Sequence, residues 1–309
     1  MDAAALGRFI PVALNLAPPA PTIDWGDLGG TPLSEPFFDE TVERWAAGPA
    51  PRLIRTDLAP LRALDGGARD PDALVFHMSR CGSTLVSRLL AALPGTRVIV
   101  EPKPLNTLLM AEDAELGGAD RGELLRLLVR ALGRSPACGA SFYALKTSSW
   151  NVAWLPLFRH AFPGTPMTFV RRAPGEVIAS ILADPPGWLA LRSEPHRAAR
   201  LFRIAACELT DLDAPAFCAR TLAAMMESAA AAAERMLIVD YRDLPDAVWS
   251  RIAPHIGLRL DESDISRMRE EARFNAKSAE RRLFAAADNA AREAARSAAA
   301  LEPLYRALG

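Results

Sequence analysis

The chain has 309 residues, half of them apolar, and 36 Lys and Arg against 37 Asp and Glu, for a formal net charge of −1 at pH 7. That length and apolar content suit one large domain with an appendage, and the even charge excludes a polyanion-binding surface built on net charge, so no nucleic-acid partner is expected. No run approaches the roughly 20 apolar residues of a membrane helix, Met1-Asp2 opens no basic leader, and four cysteines without CxxC or zinc spacing read as reduced thiols, so a cytoplasmic protein is expected; oligomeric state has no signal.

Residues 1–70 are rich in Pro and Gly, with Trp25, Phe37, Phe38 and Trp45 interspersed, and Glu40 to Ala47 reads as a short helix. An irregular N-terminal arm or small subdomain is expected, its aromatics anchoring it to residues 71–309; a wall of a substrate pocket is the other reading.

Residues 74–93, LVFHMSRCGSTLVSRLLAAL, follow. The apolar run Leu74 to Met78 predicts a strand, Ser79-Arg80-Cys81-Gly82-Ser83-Thr84 a tight loop, and the remainder a helix. A helix entered through such a turn leaves several N–H groups without intrahelical partners at its positive end, which suits a phosphate or sulfate. Arg80 adds a planar five-donor fork, and Ser83 and Thr84 add hydroxyls. A Walker A loop needs a second Gly and a Gly-Lys-Ser/Thr ending, both absent, so ATP is not the default ligand. Gly-Ser-Thr alone would suit an ordinary strand-to-helix turn, and a second feature has to decide.

Further strands are expected at Val98-Ile99-Val100 and at about 142–147, 166–171 and 236–240, with helix over 104–133 broken at Gly117-Gly118, and a mainly helical C-terminal part from 261. The pattern predicts an α/β fold, a central parallel sheet of about five strands with helices on both faces. The deciding feature is Thr168-Phe169-Val170-Arg171-Arg172-Ala173-Pro174-Gly175-Glu176-Val177-Ile178-Ala179-Ser180. A second strand delivers a basic pair to its C-terminal end, and Pro174 opens a helix. Ligands of open parallel sheets gather beyond the carboxyl ends of the strands, so both basic turns are expected to face one crevice.

With these residues the chain resembles the sulfotransferases that use 3′-phosphoadenosine 5′-phosphosulfate (PAPS), in a bacterial P-loop-like form. Ser79 to Thr84 is similar to the family's 5′-phosphosulfate loop, here with Arg80 where many eukaryotic members carry Lys. Arg172, Glu176, Val177 and Ser180 reproduce the spacing of its second signature. The resemblance runs from residue 73 to 309 through Leu145-Lys146, Leu237 to Leu244 and Leu304-Tyr305. It implies PAPS as sulfuryl donor, no metal, a phosphosulfate held by Ser79, Arg80, Cys81, Gly82, Ser83 and Thr84, and a 3′-phosphate held by Arg172 and Ser180. Lys277, with Arg281 and Arg282, is the nearest candidate for a segment closing over the nucleotide. Residues 183–218 stand where members shape acceptor choice, and the acceptor implied is a hydroxyl or amine of a small molecule or glycan.

Catalysis of this kind asks for charge stabilisation and a base. Arg80 and Lys146 are the candidate cations. Glu101, at the tip of the second strand, is the candidate base, with a salt bridge to Arg80 or Lys103 as the competing role. His77 is the second candidate base, against a hydrogen-bonded core histidine. Cys81 sits where a helix N-terminus lowers a thiol pKa, although packing is its expected role. An ATP-dependent phosphotransferase using Asp240 for a metal, and a nucleotide-binding module without catalysis, are the alternatives.

Overall fold

The computed structural model describes residues 6–29, 31, 33, 35–64, 68–134, 140–274 and 297–308. The N-terminal residues are more regular than their Pro and Gly content predicts: β1 (Ile10–Asn15), β2 (Thr22–Gly26), α1 (Phe38–Ala46), β3 (Leu53–Thr56) and the short α2 (Ala59–Arg62) follow in order. The three strands form an antiparallel sheet in the order β1-β2-β3. The prolines fall where a sheet tolerates them. Pro11 lies on an edge strand beside a register shift, and Pro18-Pro19 lies in the turn to β2.

Beyond this sheet come β4 (Ala73–His77), α3 (Ser83–Ala91), β5 (Thr96–Val100), α4 (Lys103–Met110), α5 (Arg121–Leu132), β6 (Phe142–Lys146), α6 (Leu155–Ala161), β7 (Met167–Arg171), α7 (Pro174–Ala183), α8 (Pro195–Phe202), α9 (Ala214–Ala230) and β8 (Leu237–Asp240). Gly117 and Gly118, between α4 and α5, both have positive φ, which is why the helical stretch breaks there. The C-terminal part holds helices Glu262–Glu271 and Glu302–Ala307. Lys277, Arg281 and Arg282 lie outside the described residues.

β4 to β8 make one parallel sheet in the order β5-β6-β4-β7-β8. Every residue of β4, β6 and β7 is buried, as continuous apolar runs in the middle of a two-faced sheet should be, whereas β5 and β8 are partly exposed edges. The connection after β4 runs through α3 to the β5 edge, and that after β7 runs through α7 toward the β8 edge. Connections thus part between β4 and β7, the switch point at which open α/β sheets hold ligands.

Trp25 and Trp45 bond within the N-terminal residues themselves, and β1 and Arg134 supply contacts to the rest of the chain. Trp25 is fully buried and donates from Nε1 to Thr56 Oγ1 at 2.9 Å, and Trp45 donates to the Asp27 carbonyl at 3.0 Å. β1 packs on α4 and α5. Just past α5, the buried Arg134 donates to the carbonyls of Leu6 at 2.9 Å and Gly7 at 3.0 Å, so a buried cation is spent on fixing the start of the chain.

Candidate active site

β4 ends at His77, and the chain then turns through Arg80 and Gly82, with φ of +56° and +83°. Left-handed backbone at a non-Gly residue is uncommon and costs energy, which the surroundings must hold in place. Gly82 is required twice over: a Cβ there would meet the Tyr241 ring at 2.8 Å and Leu244 at 2.9 Å, besides the positive φ. As N-cap of α3 it offers no side-chain acceptor, so the first N–H groups of the helix stay available to a ligand.

Arg80 turns to the far side of the cleft. Its Nη2 lies 2.5 Å from Asp184 Oδ2 and also donates to the Asp184 carbonyl, while its buried Nε has no hydrogen-bond partner among the described residues. Cys81 is fully buried, and that burial pushes its thiol up to about 12. Its side chain packs in the loop, while the residue itself lines the cleft. The lowering expected from a helix N-terminus is overturned because burial outweighs the partial charge of the helix end.

The second basic turn reaches the first. Arg172 donates from Nη1 to the main-chain carbonyl of Arg80 at 3.3 Å and from Nε to Glu176 at 2.7 Å, and its guanidinium lies 4.3 Å from the centre of the Tyr241 ring. Ser180, two turns into α7, lines the same cleft as Ser79, Arg80, Gly82, Ser83 and Thr84. The cleft has a volume of about 1100 Å³.

On the other side of β4, the cleft is completed from the edge of the sheet. β5 does not lie beside β4, because β6 pairs between them, and Glu101 reaches in from the edge. Glu101 has φ +51° and donates its N–H to the Lys146 carbonyl at 2.8 Å. Its carboxylate takes the Lys146 ammonium, so the salt bridge is real, with a partner other than Arg80 or Lys103. Burial alone would raise the Glu101 carboxyl, but the Lys146 charge and the His77 ring outweigh it and hold it well below the usual carboxylate range. Lys146 is 1 % exposed. His77 Nδ1 lies 3.2 Å from the Met78 carbonyl and Nε2 lies 3.0 Å from the Thr147 carbonyl and 3.7 Å from Glu101. Burial, and then the Lys146 charge, lower its pKa; a neutral ring has one N–H and donates to one of the two carbonyls.

At the β8 end, Asp240 is already engaged. It accepts from the Tyr305 hydroxyl and from the Arg242 N–H at 3.0 Å, and lies 3.5 Å from Arg171 Nε. Arg171 also lies over the Tyr305 ring, 4.4 Å from its centre. Burial, followed by the bond to Asp240, pushes the Tyr305 hydroxyl up to about 12, so it stays a donor. The metal-binding role considered for Asp240 has to compete with these contacts.

Each cation of the cleft is matched by a carboxylate: Arg80 with Asp184, Lys146 with Glu101, and Arg172 with Glu176, which Arg242 also approaches at 3.9 Å. Sequence reasoning missed Asp184, Phe37 and Trp188 as cleft residues; Asp184 and Trp188 lie in the Asp-Pro-Pro-Gly-Trp run within residues 183–218, whereas Phe37 had only its place among the arm's aromatics.

No family model matches the chain, and no curated protein matches it. The chain is similar to bacterial sulfotransferases of known structure. Sulfotransferase STF9 from Mycobacterium avium aligns over 79% of this chain and 76% of its own, at 16% identity and a TM-score of 0.45. STF1 from Mycobacterium tuberculosis aligns over 66% and 72%, at 16% identity and a TM-score of 0.42. The sulfotransferase domain of the Synechococcus olefin synthase aligns over 77% and 96%, at 16% identity and a TM-score of 0.39. No described helix is long and apolar enough to cross a membrane.

Proposed function

We propose that the cleft moves a sulfuryl group from PAPS to a hydroxyl or amine of a small-molecule or glycan acceptor. The carrying observation is the meeting of two basic loops at the β4–β7 switch point, joined through Arg172 and the Arg80 carbonyl and opening on one cleft. A nucleotide with phosphates at both ends needs two separate anion grips within one cleft, and ATP does not.

The donor supplies an electrophilic sulfur and a leaving group already carried as a phosphate. Ser83, Thr84 and the first N–H groups of α3 hold the 5′-phosphosulfate, and Arg80, whose Nε lacks a partner, exchanges Asp184 for its oxygens. Arg172 and Ser180 hold the 3′-phosphate. An acceptor oxygen attacks sulfur in line, the sulfur–oxygen bond to the 5′-phosphate breaks, and 3′,5′-diphosphoadenosine leaves with the electron pair. Arg80 and Lys146 stabilise the charge that grows on the bridging oxygen.

Glu101 takes the acceptor proton. Held down by Lys146, it is a weak base, but as Lys146 turns toward the sulfuryl oxygens the carboxylate loses its cation and its proton affinity rises. His77, with its ring nitrogens facing main-chain carbonyls, orients this pair.

Calorimetric titration with 3′,5′-diphosphoadenosine and, separately, with ATP and Mg²⁺ tests the donor. Tight binding of the diphosphate over ATP is expected, and a preference for ATP would sink the reading in favour of phosphotransfer.

A further inference from the structure

The strand order divides the cleft. Arg172, Tyr241 and Arg242 stand beyond β7 and β8, whereas Glu101, Lys146 and Ser148 to Trp150 stand beyond β5 and β6, with the first loop between the two groups. If the nucleotide spans the β4–β7–β8 half, the acceptor enters over β5 and β6.

Three rings line the cleft. Phe37, from the connection between β2 and α1, lies with its ring centre 5.7 Å from Lys146 Nζ. Trp150 follows β6, and Trp188 enters from the segment after α7. Trp188 is braced by Phe202, edge to face at 5.4 Å, and by Phe217 at 6.3 Å, so its place is fixed by packing. Its Nε1 is buried with no hydrogen-bond partner among the described residues, an open donor for a neutral oxygen.

The charges on this side cancel, since Lys146 and Glu101 are paired with each other. Ser148 Oγ already accepts from Asn106 Nδ2 at 3.0 Å. A sugar would therefore give up water around several hydroxyls for few partners, and a cationic amine beside Lys146 would find the Glu101 carboxylate taken. A flat ring with a single hydroxyl loses little by the same transfer and gains ring-on-ring contact.

We infer that the acceptor is a neutral aromatic alcohol, bound between Phe37, Trp150 and Trp188 with its hydroxyl at Glu101 and Lys146. This rests on the sulfotransfer reading, and it assigns Phe37, at the start of α1, as a specificity residue. In the transfer, the phenolic oxygen forms the new bond to sulfur, its proton goes to Glu101, and the aryl sulfate and 3′,5′-diphosphoadenosine are the products.

The test is equilibrium dialysis of the full chain, saturated with 3′,5′-diphosphoadenosine, against 2-naphthol, N-acetylglucosamine and 2-phenylethylamine. We expect 2-naphthol to bind at least about tenfold tighter than either, and Phe37→Ala to weaken it by about tenfold, the scale of one lost aromatic contact, while the diphosphate binds as before. Phe37→Leu, which keeps apolar bulk where Phe37 packs, should weaken 2-naphthol less and guards against loss of fold. Binding of the diphosphate with equal or better binding of the sugar or the amine overturns the inference alone, and so does 2-naphthol binding that ignores both Phe37 variants. Phe37-dependent 2-naphthol binding by a protein that ignores the diphosphate upholds the aromatic site and overturns the donor. Silence toward all ligands overturns both.

Discussion

Arg172 Nη1 donates to the main-chain carbonyl of Arg80 at 3.3 Å, so the side chain assigned to one end of the nucleotide also props the loop assigned to the other. Replacing Arg172 with Ala should weaken 3′,5′-diphosphoadenosine by about 1.5–3 kcal/mol, the scale of a charged hydrogen bond. AMP, which has no 3′-phosphate, should lose much less. Calorimetry with both ligands checks this, and equal losses would mean that Arg172 acts only through the loop.

On the proposed reading, Asp184 competes with the donor for Arg80. Its carboxylate lies 2.5 Å from Arg80 Nη2, yet its side chain is 77% exposed, so solvent screens most of the attraction. Asp184→Asn should tighten the diphosphate by less than ~1 kcal/mol, and by less still in high salt. Weaker binding in the variant would show that Asp184 supports the loop instead of occupying it.

The Glu101–Lys146 pair separates catalysis from stability. Lys146→Met leaves the Glu101 carboxylate without its cation, and the cost should lie toward the low end of about 3–5 kcal/mol because Glu101 keeps 22% exposure. Glu101→Gln likewise strands the buried ammonium. Combining the two should recover stability in urea denaturation relative to either single change, while turnover stays lost. Recovery of turnover in the double variant would remove both residues from the chemistry.

These outcomes bear on what the sequence made legible. The two basic turns were readable because each is contiguous: a Gly, one or two arginines and a hydroxyl or two specify strand, loop and helix start without reference to the rest of the chain. The Glu101–Lys146 pair was not, because its members lie 45 residues apart and the insertion of β6 between β5 and β4 leaves no local trace. Cys81 was assigned the wrong direction of pKa for a related reason, since local sequence displays a helix end but not the depth of burial. Phe37 sat in a stretch whose prolines suggested irregular chain, and its place beside Lys146 comes from tertiary packing that no local pattern displays.

Gly82→Ala tests the first loop. The substitution forces a Cβ into the Tyr241 ring and asks an L-residue to hold a φ of +83°. A left-handed Ala costs about 1–2 kcal/mol before any clash. Loss of diphosphate binding with a smaller fall in thermal midpoint is expected, because the loop can shift without unfolding the sheet. Normal binding would show that the ligand avoids this loop.

Acid should weaken the fold in two stages. His77 has a lowered pKa in the folded protein, so below its ordinary value of 6.5 the unfolded chain binds the proton more readily, and stability falls as pH drops from there. Glu101 is also lowered; its contribution is complete above its ordinary 4.5 and is lost as pH falls further toward its folded value. Urea midpoints measured from pH 8 to 4 should therefore begin to decline near 6.5 in the natural chain. In His77→Gln that first decline should be absent, while the one below 4.5 persists, since Lys146 still holds the carboxylate. A His77→Gln profile with the original slope near pH 6 would place the titrating group elsewhere.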